Sequence, residues 1–493
     1  MTMESLEPRA IWTYFAGICA IPHPSHHEER LADWLVRTIH AMGLEAGKDT
    51  AGNVVARKPA GPGCAGRQGV ILQAHIDMVC QAAHGSSHDF MTDPIRPLFD
   101  PADPDWIMAD GTTLGADNGI GVAAALAVLA DRELRHGPLE CLFTLGEEDG
   151  MTGAQGMQPG QLQGSWLLNL DSEISGELTI GCAGGIRTIS KLSLPASPAS
   201  AGGRWLEVNV DGLLGGHSGV DIHLGRGNAT LLLCRLLSRA GGWVCLAEFE
   251  GGTAVNAIPR DARALVWVDE GSYEAWRTAM DAEMAVIRAG LGSADPGFRL
   301  TIREAGAESG TEVGSLVLES ELTASVMAGM AGLPNGLQSM EPDFDDIPRT
   351  SSNLGVFSIR KAGGVLELET RVLVRSSDDG EKESLARAIE SHLSALGADT
   401  RRLAETAAWP PEPSAELVGI AVSVYRELFG ADPAVRSTHG GLECALFRTL
   451  YPGLRMISLG PTIRFPHSPD ERVQVSTVAL FWRYLLALLG RLP

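Results

Sequence analysis

Val70-Ile71-Leu72-Gln73-Ala74-His75 is apolar at every position but Gln73 until it ends on a histidine. A run of that length and composition reads as a strand buried on both faces. Leu139-Glu140-Cys141-Leu142-Phe143-Thr144-Leu145 and Trp166-Leu167-Leu168-Asn169-Leu170 read the same way, and Gly119 to Leu134 reads as a helix packed on both sides. Strands alternating with helices predict an α/β domain whose mostly parallel sheet is covered on both faces.

Towards the N-terminus, Ser25-His26-His27-Glu28 fits a capping box that opens a helix running to about Met42. Beyond Cys182 the pattern changes. From Trp205 to Asp211 apolar and polar residues alternate, as in antiparallel strands with one buried face. Helices are expected at about 226–240, 272–290, 313–331 and 379–396, with strands at Ala262–Val268 and Val365–Val374 between them. Residues 187–400 therefore read as an inserted α+β domain that splits the first domain into 1–186 and 401–493. A helix from Glu416, a strand ending near Leu459 and a docking helix over Val478–Leu489 return to the first domain. Whether the insert holds two similar halves is left open at this stage.

A chain of 493 residues exceeds one comfortable core. Its net charge of −22, from 39 basic and 61 acidic residues, argues against nucleic acid or an anionic membrane as partner. The first residues lack a secretory signal, and the most apolar run, Gly119–Ala130, is too short to span a bilayer. Eight scattered cysteines with no Cys-x-x-Cys spacing predict free thiols in the cytoplasm.

Ligands of such sheets collect outside the carboxyl ends of the strands. Five stretches carry hard or borderline metal donors: His75-Ile76-Asp77, Ala116-Asp117-Asn118, Glu147-Glu148-Asp149, Leu170-Asp171-Ser172 and Pro466-His467-Ser468. Two histidines, several carboxylates and no cysteine suit a pair of divalent cations with a bridging water, zinc foremost, with cobalt or manganese as alternatives. Asp117, in a tight glycine-flanked loop, is the expected bridge. His75 and Asp171 would complete one metal, Glu148 and His467 the other. Asp77 would fix the His75 tautomer, and Glu147 would act as general base. Each stretch alone has a plainer reading: Glu147-Glu148 as a solvated loop, His75-Ile76-Asp77 as a surface pair, Asp117-Asn118-Gly119 as a turn and cap. Their ordered placement at the strand ends of one domain favours the chemistry. In the insert, His217, within Gly215-Gly216-His217-Ser218-Gly219, suits a mobile group approaching an oxyanion, although the same residues also read as a plain turn. Asn256 and Arg375 are candidate substrate contacts, the arginine for a carboxylate. Glu443 is a candidate partner of a substrate α-amine, or a structural ion pair or cap.

At this point the chain resembles the di-zinc aminoacyl-histidine dipeptidases (Xaa-His or cytosol non-specific dipeptidases) of the aminoacylase and carboxypeptidase type superfamily. The resemblance runs through nearly the whole length. It is carried by Leu72–Val79, Gly111–Gly121, Gly181–Gly185, Gly215–Gly219, His439–Cys444, Gly460-Pro461 and Pro466–Glu471. It implies zinc ligands at His75, Asp117, Glu148, Asp171 and His467, a catalytic pair at Asp77 and Glu147, and substrate contacts at His217, Asn256 and Arg375. It also implies hydrolysis of unblocked dipeptides, including β-alanyl-histidine, and a lid domain that often dimerises. Leu145-Gly146 departs from the family, where relatives carry polar residues, and bears on local tuning. Two other readings stand beside this one: an N-acyl amino acid hydrolase with the same di-metal chemistry, and a metal- or peptide-binding protein without turnover. An unligated Glu147 beside the metal counts against the last.

Overall fold

The three apolar runs form fully buried strands in the computed structural model, which describes residues 3–239, 241–305 and 315–493. In chain order the first part has β1 (Glu45–Lys48), β2 (Val54–Lys58), β3 (Val70–His75), β4 (Leu139–Thr144), β5 (Trp166–Asn169) and β6 (Glu177–Cys182). Its main helices are α1 (Glu29–Ala41) and α2 (Ala116–Ala130). The insert follows with β7 (Gly184–Leu194), β8 (Gly203–Asp211), α3 (Ala229–Arg239), β9 (Val244–Gly251), β10 (Ala262–Asp269), α4 (Tyr273–Leu291) and β11 (Arg299–Glu304). It continues with α5 (Ser320–Ala331), β12 (Pro348–Ala362), β13 (Val365–Ser376), α6 (Asp379–Ala395) and β14 (Asp399–Thr406). The chain ends with α7 (Glu416–Phe429), β15 (Ala434–Thr438), β16 (Arg455–Ser458) and α8 (Val475–Arg491).

The first compact unit comprises Met1–Cys182, Trp409–Ser437 and Leu442–Pro493. Its eight-stranded sheet runs β1-β2-β4-β3-β5-β16-β6-β15. The four middle strands β4, β3, β5 and β16 are mutually parallel, and antiparallel strands flank them. This is the α/β class expected, with the parallel strands confined to the middle of the sheet. From Ala116 to Leu129 every residue of α2 is buried, and beyond Asn118 all of them are apolar, as a helix covered on all sides requires.

The second unit, Ala183–Ala408 with Thr438–Gly441, holds an antiparallel sheet in the order β11-β8-β10-β9-β12-β13-β7-β14, with Gly336–Met340 pairing off β12. It contains two β-α-β-β-α-β halves. One is β8-α3-β9-β10-α4-β11, and the other is β7-α5-β12-β13-α6-β14. Numbered within each half, both run 2-3-1-4 outward from the β9–β12 joint, where Phe249 faces Ile359 and Gly251 faces Phe357. The first half is spliced between β7 and α5 of the second. That nesting hides the repeat in the linear sequence.

Several expectations need correction. Unit boundaries lie at 182/183 and 408/409 rather than 186/187 and 400/401, and Thr438–Gly441 goes to the second unit. The helix expected over 313–331 spans Ser320–Ala331; residues 313–314 lie outside the described residues, and so does residue 240 of the 226–240 helix. Leu316–Val317 pairs with Ser197–Pro198, and the Leu318 N–H donates to the Leu246 carbonyl, so this stretch is committed to sheet. The capping box does not form. The Ser25 hydroxyl donates to Asp77, and the Glu28 carboxylate accepts from the N–H groups of His26 and Gly146.

Candidate active site

His75, Glu147, Glu148 and Asp171 all sit at or just past the carboxyl ends of β3, β4 and β5. Parallel pairing of these strands brings residues distant in sequence to one rim. Asp117 enters from the start of α2. Gly115 is the N-cap there at φ 71°, a left-handed conformation that glycine adopts freely. Asp117 and Asn118 have non-helical dihedrals, so the regular helix begins at Gly119. His467 arrives from the loop before α8, itself at φ 59° with Phe465 at φ 54°.

Within the first unit the five expected metal donors meet. His75 Nε2 lies 3.2 Å from Asp117 Oδ1 and 3.4 Å from Asp171 Oδ1. His467 Nε2 lies 3.3 Å from Asp117 Oδ2 and 3.0 Å from Glu148 Oε2. Asp117 thus turns one oxygen to each histidine, the disposition of a bridging carboxylate. Donor atoms of His75, Asp117 and Glu148 all lie within 4.8 Å of one another. The second oxygen of Glu148 is buried and has no hydrogen-bond partner among the described residues. An oxygen- and imidazole-rich donor set with an orphaned buried carboxylate oxygen fits divalent cations, which would supply the missing partner.

The electrostatics agree. Burial opposes a charge on His75, yet the carboxylates of Asp171, Asp117 and Asp77 hold its pKa well above the ordinary value. Hydrogen bonds to Asp117 and Glu148 push His467 up to about 11. Burial raises Asp171 to about 6 against the pull of His75, with Asp117 and Glu148 adding repulsion. Glu147 is raised well above its usual range by burial first, with His75 opposing and Asp171, Glu443 and Glu148 reinforcing. Carboxylates crowded this closely call for positive charge.

Asp77 lies between the His75 ring and the Glu147-Glu148 turn. The His75 Nδ1 lies 3.0 Å from the Asp77 main-chain carbonyl and 3.3 Å from Oδ1. The carboxylate accepts from the Glu147 N–H at 2.9 Å, the Glu148 N–H at 3.2 Å and the Ser25 hydroxyl at 2.8 Å. Asp77 therefore orients the Glu147-Glu148 turn as well as the histidine. Burial would raise its pKa, but His75 and these donors bring it to about 2.

Glu443 is fully buried. Its Oε2 accepts from Gln73 at 2.6 Å and Thr144 at 2.7 Å, inside a polar ribbon rather than at a surface a substrate amine would reach. From Gln73 the ribbon passes to Asn169 at 2.5 Å, then to Ser458, then to Ser172 at 2.9 Å. It crosses β4, β3, β5 and β16 two residues below His75 and Asp171. Its signal in the sequence is the polar residues Gln73, Thr144, Asn169 and Ser458 within or at the end of the strand runs. Glu173, two residues past Asp171, was also missed. Burial and repulsion from Asp117 and Asp171 hold it at about 8.

The remaining candidates lie in the second unit. Gly216-His217 pairs with Ala257-Ile258. His217 Nδ1 accepts from the N–H groups of Gly219 and Val220, both at 3.2 Å, so the ring carries its proton on Nε2. Asn256 is exposed, and its loop is pinned by Asn353, which donates to the carbonyls of Val255 and Ala257. Arg375, near the end of β13, donates to the His439 carbonyl at 3.5 Å.

Residues 71–491 match the profile of peptidase family M20/M25/M40. The chain is 38% identical to the cytosol non-specific dipeptidase of Escherichia coli K12, covering 100% of this chain and 99% of the relative. It is also 38% identical to the crystal structure of aminoacylhistidine dipeptidase from Vibrio alginolyticus, with a TM-score of 0.88 over 100% of this chain and 98% of that one. Aminopeptidase PepT from Bacillus cereus, 14% identical over the full length of both chains, shares the fold with a TM-score of 0.62. Match and geometry converge on one conclusion: this chain is a peptidase belonging to family M20/M25/M40.

Proposed function

We propose that this peptidase is a metal-dependent dipeptidase that cleaves unblocked dipeptides, Xaa-His and β-Ala-His among them. The observation that carries the reading is Glu147. It is a carboxylate outside the donor cluster, next in sequence to Glu148, and its backbone is tied to Asp77 at the same rim. The full-length likeness to a relative named as a dipeptidase supports the reading.

His75, Asp117, Glu148, Asp171 and His467 would hold two divalent cations, zinc first among the candidates. Bound there, the cations would polarise the scissile carbonyl and lower the pKa of water to about 7. Glu147 takes the proton from the attacking water and returns it to the leaving amine. Burial and neighbouring carboxylates raise its proton affinity, which suits that exchange. Asp77 holds the pair in place. His217, with its proton on Nε2, donates to the developing oxyanion. Asn256 contacts the substrate, and Arg375 accepts its terminal carboxylate. We place the protein in the cytosol, in keeping with eight free cysteines and the name of the Escherichia coli relative. No described helix is long and apolar enough to cross a membrane.

The test is hydrolysis of β-Ala-His, Gly-His, Ala-Leu, a tripeptide and N-acetyl-His, each with zinc and after chelation. Chelator-sensitive cleavage of the dipeptides alone is expected. Cleavage of N-acetyl-His alone would move the protein to the acylase reading.

A further inference from the structure

Glu471 is a carboxylate buried to 2% exposure. Its Oε2 accepts from the N–H groups of Leu114 at 2.8 Å and Gly115 at 3.1 Å. Its Oε1 accepts from Ala116 at 2.8 Å and Asp117 at 3.3 Å. One side chain thus satisfies four consecutive main-chain donors at the mouth of α2, the last belonging to Asp117 itself. Burying a carboxylate is costly, and donors at a helix start are among the few groups able to offset it.

The other end of the connection is His467, four residues earlier. The segment between them is bonded to itself. The Ser468 hydroxyl donates to the Phe465 carbonyl at 2.8 Å, the Asp470 N–H to the Ser468 hydroxyl at 3.2 Å and the Glu471 N–H to the Ser468 carbonyl at 3.0 Å. Phe465 and His467 hold left-handed dihedrals that non-glycine residues adopt only when their surroundings enforce them. His467 is also the most open of the five donors, its side chain 49% exposed against 1% for His75, so packing alone does not hold it.

We infer that Glu471 is a positioning residue: it sets the spacing between Asp117 and His467 and thereby the affinity of one of two cation positions, the one shared by Asp117, Glu148 and His467. The position between His75, Asp117 and Asp171 has its own supports in β3 and β5 and depends on Glu471 much less. This inference rests on the two-cation reading.

The experiment is zinc binding to the metal-free protein by calorimetry and by competition with a chromophoric chelator, for wild type and Glu471→Gln. Wild type is expected to bind two zinc ions. In the variant one ion keeps its affinity and the other binds roughly 10–100-fold more weakly, the range for loss of a group that supports a ligand. Activity lost at limiting zinc returns at saturating zinc. Both affinities within twofold of wild type would overturn the inference, and so would equal weakening of both. Fewer than two ions on wild type would instead sink the two-cation reading. Should Glu471→Gln fail to fold by circular dichroism, Glu471→Asp, which keeps the charge and shortens the reach, is read by the same criteria.

Discussion

Glu147 and Glu148 are chemically identical neighbours whose surroundings assign them different work. Glu148 Oε2 faces His467, whereas Glu147 stands apart with its main chain on Asp77. Replacing Glu147 by Gln removes the proposed base and leaves the proposed donors, so kcat should fall by about 10²–10⁴-fold while zinc content by atomic emission stays at the wild-type value. Loss of zinc together with activity would place Glu147 among the ligands. Asp77→Ala should act more broadly, lowering kcat and loosening zinc together, because its carboxylate orders both His75 and the Glu147-Glu148 turn. At this scale the expected donors His75, Glu148 and Asp171 were legible because each follows an apolar run at a strand end, and Asp117 because glycines flank its loop. The second task of Asp77 was not legible, since its partners come from another strand 70 residues away. Glu443 stood open between a substrate contact and a structural role, and its burial was not legible because its neighbours Gln73 and Thr144 are distant in sequence.

Between β4 and the Glu147-Glu148 pair, Gly146 makes the turn at φ 55°, and a Cβ there would stand 2.2 Å from the Thr152 hydroxyl. Gly146→Ala should cost roughly 1–3 kcal/mol from backbone strain and lower kcat, measurable by urea unfolding and by rate; wild-type stability and rate would show that the turn adapts. The polar ribbon makes a second claim on the strands. Asn169→Leu removes the donor to Gln73 Oε1 and the acceptor of the Ser458 hydroxyl, and the expected loss is about 1–3 kcal/mol. The buried strands and α2 were readable from composition because their surroundings are uniformly apolar. The capping box was not, because Ser25 and Glu28 match the local pattern but bond to Asp77 and Gly146, which only the tertiary fold brings near.

In the whole molecule, acidic groups accumulate in the first unit's interior. Burial holds Asp171 at about 6, Glu471 at about 7, and Glu173 and Glu443 at about 8. An unfolded chain releases these protons near pH ~4. Between about 4 and 8 the folded, metal-free state therefore binds more protons than the unfolded one, and its stability falls as pH rises through that window. Melting curves of metal-free protein should show a lower Tm at pH 8 than at pH 5, and zinc should flatten the trend by meeting the carboxylates with positive charge. A Tm that climbs with pH without metal would contradict the burial of these groups. The doubled sheet of the second unit carries a further expectation. Its two halves are joined through β9 and β12 inside one chain, and mixing His217→Ala with Glu147→Ala protein tests whether His217 acts in its own chain, in which case no activity returns. Recovered activity would mean that His217 serves a second copy. The repeat escaped the sequence reading because one half interrupts the other, whereas the split of the first unit was visible as a change in strand pattern near Cys182. That split has a consequence for the cell's timetable. During synthesis the ribosome delivers His75, Asp117, Glu148 and Asp171 early, then makes Ala183–Ala408 of the second unit, and only near the end releases β16 and His467. A stalled or truncated nascent chain thus lacks both a central strand and the last of the clustered histidines, so on the proposed function half-made copies crowded among other newborn polypeptides would hold an incomplete donor set.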